Sequence, residues 1–153
     1  MTQIEENTQN HCKLMIKQKR RALLPKPKKT EEKISNKSVQ IKNEEEVKLA
    51  ALAISFNIRL KSSDMPSAMQ ERALRHTRAL LDSAASAGHR RPNPTLLARS
   101  LKKEFDSVYG PAWHCVAGKS FGSFVTHSPG GFVYFSVDSL SFLLFKTEVH
   151  VIT

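Results

Sequence analysis

His114 and Cys115 are an adjacent pair of residue types that nucleophilic catalysis uses. A reactive thiolate needs an imidazole beside it, and neighbours on a strand point to opposite faces. The pair therefore reads as a buried cysteine next to a core or interface histidine. The six histidines, at 11, 76, 89, 114, 127 and 150, show no metal-ligand spacing and have no cysteine or carboxylate cluster beside them. Asp64, Asp82, Glu104, Asp106 and Asp138 are scattered, with no second carboxylate at a useful offset. Gly118-Lys119-Ser120 has the look of the end of a phosphate loop, but the leading glycine and the strand-to-helix setting are missing, so it reads as a hairpin turn. No catalytic residue, metal site or cofactor is expected, and the chain is not expected to be an enzyme.

Two stretches suit binding instead. Lys119-Ser120-Phe121-Gly122-Ser123-Phe124-Val125-Thr126-His127 sets small or polar residues between bulky ones. A glycine within a strand often marks a close approach by another backbone. One reading is an edge strand that accepts an added strand from a partner, with main-chain hydrogen bonds supplying affinity. The other is an ordinary inner strand with a bulge at Gly122. The second stretch is Lys17-Gln18-Lys19-Arg20-Arg21 with Lys26-Pro27-Lys28-Lys29. It suits a weak nucleic-acid contact over residues 13–37, a nuclear import signal, or a plain solvated tail. No aromatic is interleaved there, so base stacking is not available.

The elements that position these residues follow from periodicity. Residues 1–48 read as a solvated basic tail, with ten basic and two acidic residues between Lys13 and Lys37. Glu44-Glu45-Glu46 followed by Val47, Leu49, Ala50 and Leu52 marks a short helix. Ile54, Phe56, Ile58 and Leu60 alternate with polar residues, the period of a half-buried strand. Ser62-Ser63-Asp64 and Pro66 then open a helix whose stripe is Met69, Ala73, Leu74, Thr77, Leu80, Leu81 and Ala84, ended by Gly88. Asn93-Pro94 opens the next, with the stripe Leu97, Leu101, Phe105 and Val108, and Gly110-Pro111 ends it. Strands are expected at 112–117, 120–127, 131–137 and 140–146. The class is α+β, two helices on an antiparallel sheet.

Composition bounds the rest. The 153 residues carry 24 basic and 14 acidic side chains, a net charge of +10. No run approaches the about 18 apolar residues of a membrane span. The first residues are polar, so no secretory leader is expected, and two cysteines cannot make a disulfide framework. A reduced, intracellular chain is expected. Phe132-Val133-Tyr134-Phe135 and Phe142-Leu143-Leu144-Phe145 are apolar on both faces. Two helices cover only one face of a sheet, and a second copy is the economical cover for the other.

The run Lys102-Lys103-Glu104-Phe105-Asp106, then Tyr109-Gly110-Pro111-Ala112-Trp113-His114-Cys115, Phe121-Gly122-Ser123-Phe124-Val125-Thr126-His127, Phe132-Val133-Tyr134-Phe135 and Leu143-Leu144-Phe145-Lys146 closely resembles the dynein light chain family, small hub type. The resemblance covers about residues 56–146. It implies a strand-exchanged homodimer whose two grooves take linear motifs of disordered proteins as added antiparallel strands. By carry-over, Lys61, Phe121, Gly122, Ser123, Phe124, Val125, Thr126, Phe132 and Tyr134 line the groove. His114 and Ser123 belong to the dimer interface, and protonation of His114 is associated with loss of the dimer. Pro94-Thr95 stands where the family has an acidic–basic pair, and Ser136 where it commonly has an aromatic. The implied partners are a second copy, client motifs and a dynein intermediate chain where a motor exists. The implied location is the cytoplasm and the microtubule cytoskeleton. Residues 1–50 are then a basic extension and 51–153 the domain. The alternative is a nucleic-acid-associated or nuclear adaptor driven by the tail.

Overall fold

The computed structural model describes residues 29–88, 92–150 and 152. Helix α1 spans Lys29–Ser55 and strand β1 Ile58–Ser63. Helices α2 (Ser67–Ser86) and α3 (Pro94–Tyr109) follow, then β2 (Trp113–Gly118), β3 (Phe132–Val137) and β4 (Leu140–Lys146). The chain divides into two units, Met1–Ile41 and Lys42–Thr153. The second holds the sheet and is described below.

The four strands form one antiparallel sheet in the order β1-β3-β4-β2. Alternation decides its faces. Val133, Phe135 and Val137 of β3 stand opposite Leu144, Phe142 and Leu140 of β4, and all six are buried beneath the helices. From α2 come Ala73, Leu74, Thr77 and Leu81, and from α3 Leu97, Leu101 and Phe105. Each large apolar side chain so removed from water contributes about 1.5–3 kcal/mol. Phe105 meets Trp113 edge-on with ring centroids 4.8 Å apart, which locks α3 to β2.

The helix ends follow local chemistry. Asn93 Oδ1 accepts from the Thr95 N–H at 2.9 Å, and Pro94 occupies the first helical position, as the Asn93-Pro94 signal predicts. Val108 leaves the predicted stripe and is exposed, while Tyr109 packs on Phe105. Helix α2 has no side-chain cap. The run Ser62-Ser63-Asp64, expected to supply cap chemistry, does not cap it, and Asp64 instead accepts from the Gly130 N–H at 3.1 Å.

Further expectations are corrected. Lys29–Ser55 is helical, where a solvated tail up to residue 48 was expected; the part of that tail before residue 29 lies outside the described residues. The strand expected from Ile54 begins at Ile58, because Leu49, Leu52 and Ala53 of α1, with Phe56 in the turn just past it, pack on the core. Residues 120–127 form no strand, since they pair with no strand of the sheet within one chain. For the same reason Gly118-Lys119-Ser120 is no hairpin turn, as β2 pairs with β4, and Gly122 is no bulge of an inner strand.

Candidate functional site

The sheet face away from α2 and α3 carries Phe132, Tyr134 and Ser136 of β3 opposite Phe145, Leu143 and Ser141 of β4. On β2, His114 stands opposite Phe145 and Val116 opposite Leu143. Alternation puts these residues on one face, and it is apolar: Phe132, Tyr134 and Phe145 are only half-buried, and Val116 is exposed.

The segment after β2 runs along this face. Its ends are held. The Phe121 ring lies 6.1 Å from that of Tyr134, and the His127 ring 4.7 Å from that of Phe132. A turn fixes the far end: Ser128 N–H donates to the Lys146 carbonyl at 2.8 Å, and Lys146 N–H to the Gly131 carbonyl at 2.8 Å. Gly131 is required there, because a Cβ on it would meet Lys146 Cβ at 2.9 Å. Between the held ends, Gly122, Ser123, Phe124, Val125 and Thr126 are exposed and unpaired in the sheet. Phe124 is 106% exposed, the value of an isolated side chain. Exposing an aromatic and a row of unpaired amides and carbonyls together costs free energy, and both are relieved by another strand.

Lys61 joins the same face from β1. Its Nζ donates to Tyr134 Oη at 3.1 Å and to Ser141 Oγ at 3.2 Å, and sits 4.5 Å from the centre of the Tyr134 ring. That donated hydrogen bond holds the Tyr134 phenol below its ordinary pKa, against some desolvation. The structure thus gathers Lys61, Tyr134 and Phe121 into one contact chain and sets Phe132 beside His127. Ser141, the second partner of Lys61, carries no motif and was not anticipated.

His114 and Cys115 point apart as alternation requires. The His114 ring stacks on Phe145 with centroids 5.2 Å apart, and its Nε2 lies 3.0 Å from Thr147 Oγ1. Cys115 packs against the core on the other face, where burial pushes its thiol up to about 12. A thiol so placed is neutral near pH 7 and has no imidazole beside it. Among the described residues no three His, Cys, Asp or Glu side chains gather as a metal site. No described helix is long and apolar enough to cross a membrane. Of the basic segment 13–37, residues 13–28 lie outside the described residues.

Beside β1, which ends the sheet, lies a cavity of about 710 Å³. Helix α1 walls it with Glu46, Leu49, Ala50, Ala53 and Ile54, and Leu60, Lys61 and Met65 line the opposite side. None of the α1 residues was anticipated as part of a site, although the spacing of Leu49, Leu52, Ala53 and Phe56 marks a helix face.

Comparison with known proteins agrees with this architecture. Residues 57–147 match the family described as dynein light chain type 1. Cytoplasmic dynein light chain 1 of Debaryomyces hansenii is 43% identical over 88 residues, which are 58% of this chain and 89% of that protein. A dynein light chain of Schistosoma mansoni is 41% identical over 88 residues, 58% of this chain and 91% of that one. Among solved structures, the dynein light chain-like domain of a Fasciola hepatica calcium binding protein superposes with a TM-score of 0.52 at 19% identity, covering 60% of this chain and 93% of that one. That likeness concerns the fold.

Proposed function

Because this chain belongs to the dynein light chain family, we propose that it works as a non-catalytic homodimeric hub that binds linear motifs by strand addition. The observation that carries this reading is the segment 121–127, held at Phe121 and His127 and unpaired between them. Strand β2 ends the sheet and has a free edge. In the dimer, 121–127 of one copy pairs with the β2 edge of the other, and the apolar faces around Phe132, Phe145 and Val116 cover each other. The second edge of 121–126 then receives an extended client. Backbone groups supply most of the affinity, and side chains facing Phe121, Phe132, Tyr134 and Lys61 set preference.

Two grooves on one dimer act on two copies of a client. The second attachment is intramolecular, so avidity exceeds single-site affinity by about 10²-fold or more. The effect is to align or dimerise disordered partners, including a dynein intermediate chain where a motor exists. The D. hansenii relative is named as cytoplasmic, which supports action in the cytoplasm on the microtubule cytoskeleton.

Sedimentation of the full chain at neutral pH tests the dimer, and a monomer at every concentration ends this reading. Peptides selected from a random phage-displayed library test the groove. Thr126→Arg and Gly122→Val abolish their binding while the fold, followed by circular dichroism, stays intact. Binding unchanged in both variants removes 121–126 from the site.

A further inference from the structure

We propose that helix α1 adds a flank pocket to the client groove, one that takes a large apolar side chain of the client just outside its strand-paired core. This rests on the strand-addition reading above. The path from groove to pocket is continuous within one chain. Phe121 meets Tyr134, Tyr134 accepts from Lys61, and Lys61 also lines the cavity beside β1. A client paired along 121–126 that passes Lys61 therefore enters the space between α1 and β1.

That space is more apolar than polar, although Glu46, Lys61, Gln70 and three serines also line it. Leu49 and Met65 form its buried base, and Ile54 at 81% exposure and Leu60 at 40% stand open at its mouth. Ala50 and Ala53 keep the helix wall low, so that about 710 Å³ is left, room for an aromatic or leucine side chain with part of its backbone. An Ile and a Leu at one cavity rim are held in water at a cost that a bound apolar group removes. An acidic flank has less to gain, because Lys61 is already engaged by Tyr134 and Ser141.

The α1 wall lies outside the family match, which begins at residue 57. Glu46, Leu49, Ala50, Ala53 and Ile54 precede the matched domain, and the selectivity they bring comes from outside it. The extension then acts on client choice and does not only precede the domain.

The test uses the full chain and the same phage-displayed library. Peptides selected by the unaltered protein carry a Phe, Leu, Ile, Met or Trp at one fixed place beside the paired core. Ile54→Asp, which removes the rim, and Ala50→Trp, which fills the cavity, each weaken the best such peptide about tenfold or more. The same peptide cut back to its paired core binds all three proteins equally. Selected peptides without an apolar flank, or affinities unchanged in both variants, overturn the pocket while leaving strand addition standing. A shift in the dimer equilibrium on Ile54→Asp, without any change in peptide affinity, also overturns it and assigns the surface to a second copy. If the unaltered protein selects no peptide, the strand-addition reading falls and the pocket with it.

Discussion

Lys61 is the residue that β1 inserts between Leu60, opposite Phe135, and Ser62, opposite Tyr134, and its ammonium donates to the Tyr134 hydroxyl at 3.1 Å. The extra residue breaks the two-residue alternation. Lys61 reaches the sheet face along which segment 121–127 lies.

This contact is measurable. The Lys61 ammonium favours the phenolate of Tyr134 and holds that phenol below the ordinary tyrosine value. In a Tyr109→Phe background, where Tyr134 is the one tyrosine, Lys61→Met raises its transition toward the ordinary tyrosine value in an ultraviolet absorbance titration. An unchanged transition contradicts the assignment.

Cys115 gives a second pH signature. Its folded pKa is raised to about 12 by burial, so folding favours the protonated thiol. Its contribution is complete below the unfolded thiol pKa and is lost as pH rises from about 9 toward about 12. Denaturant unfolding therefore shows a fall in stability with pH over that window, and Cys115→Ala flattens the part due to the thiol. In the native protein at pH 8 a thiol reagent modifies Cys115 only at the rate of opening. Immediate modification contradicts its burial.

Asp106 works at the acid end. Burial opposes its ionisation, but Lys102 and the Trp113 N–H at 2.9 Å more than offset this and hold the carboxyl below its usual range. Its stabilisation is present above the unfolded carboxyl pKa and is lost as pH falls through the folded one. Asp106→Asn keeps an oxygen for the Trp113 N–H but removes the charge. It reduces the slope of stability against pH below about pH 4, the ordinary Asp range. An unchanged slope contradicts the assignment.

The docking of α1 is tested in the same way. Leu49 is buried in the core cluster, and Leu49→Ala costs about 2 kcal/mol or more in urea unfolding. Val47, two residues away, is 68% exposed, and Val47→Ala changes stability by less than about 0.5 kcal/mol. Equal effects contradict the packing of this helix face.

Much of this architecture is legible in the residues, and the exceptions have physical causes. Helix α3 is bounded by signals that act locally, Asn93-Pro94 at one end and Gly110 at φ 74 at the other, so its limits Pro94–Tyr109 match expectation. Strand β1 is harder. Phe56 belongs to the alternation Ile54-Phe56-Ile58-Leu60 and also to the helix stripe Leu49-Leu52-Ala53-Phe56, and periodicity cannot choose between them. Packing chooses: Leu49 reaches the core from the helix and Phe56 from the turn just past it, Ile54 is left in water, and Asn57 at φ 54 turns the chain into the strand. The segment 120–127 has the composition of a strand, but strandness is a property of a pair, and one chain supplies no neighbour for it. The groove residues Phe121, Phe132, Tyr134 and Lys61 came from resemblance. Ser141 and the α1 wall are visible only once the sheet register and the helix docking are known.

Amide hydrogen exchange of 121–126, with and without a library-selected peptide, addresses strand addition most directly. The account predicts that binding slows exchange in this segment by about tenfold or more, since a new row of inter-strand hydrogen bonds must open first. It predicts no comparable change on the outer surfaces of α2 and α3. A peptide that binds while exchange at 121–126 stays as fast as before contradicts it.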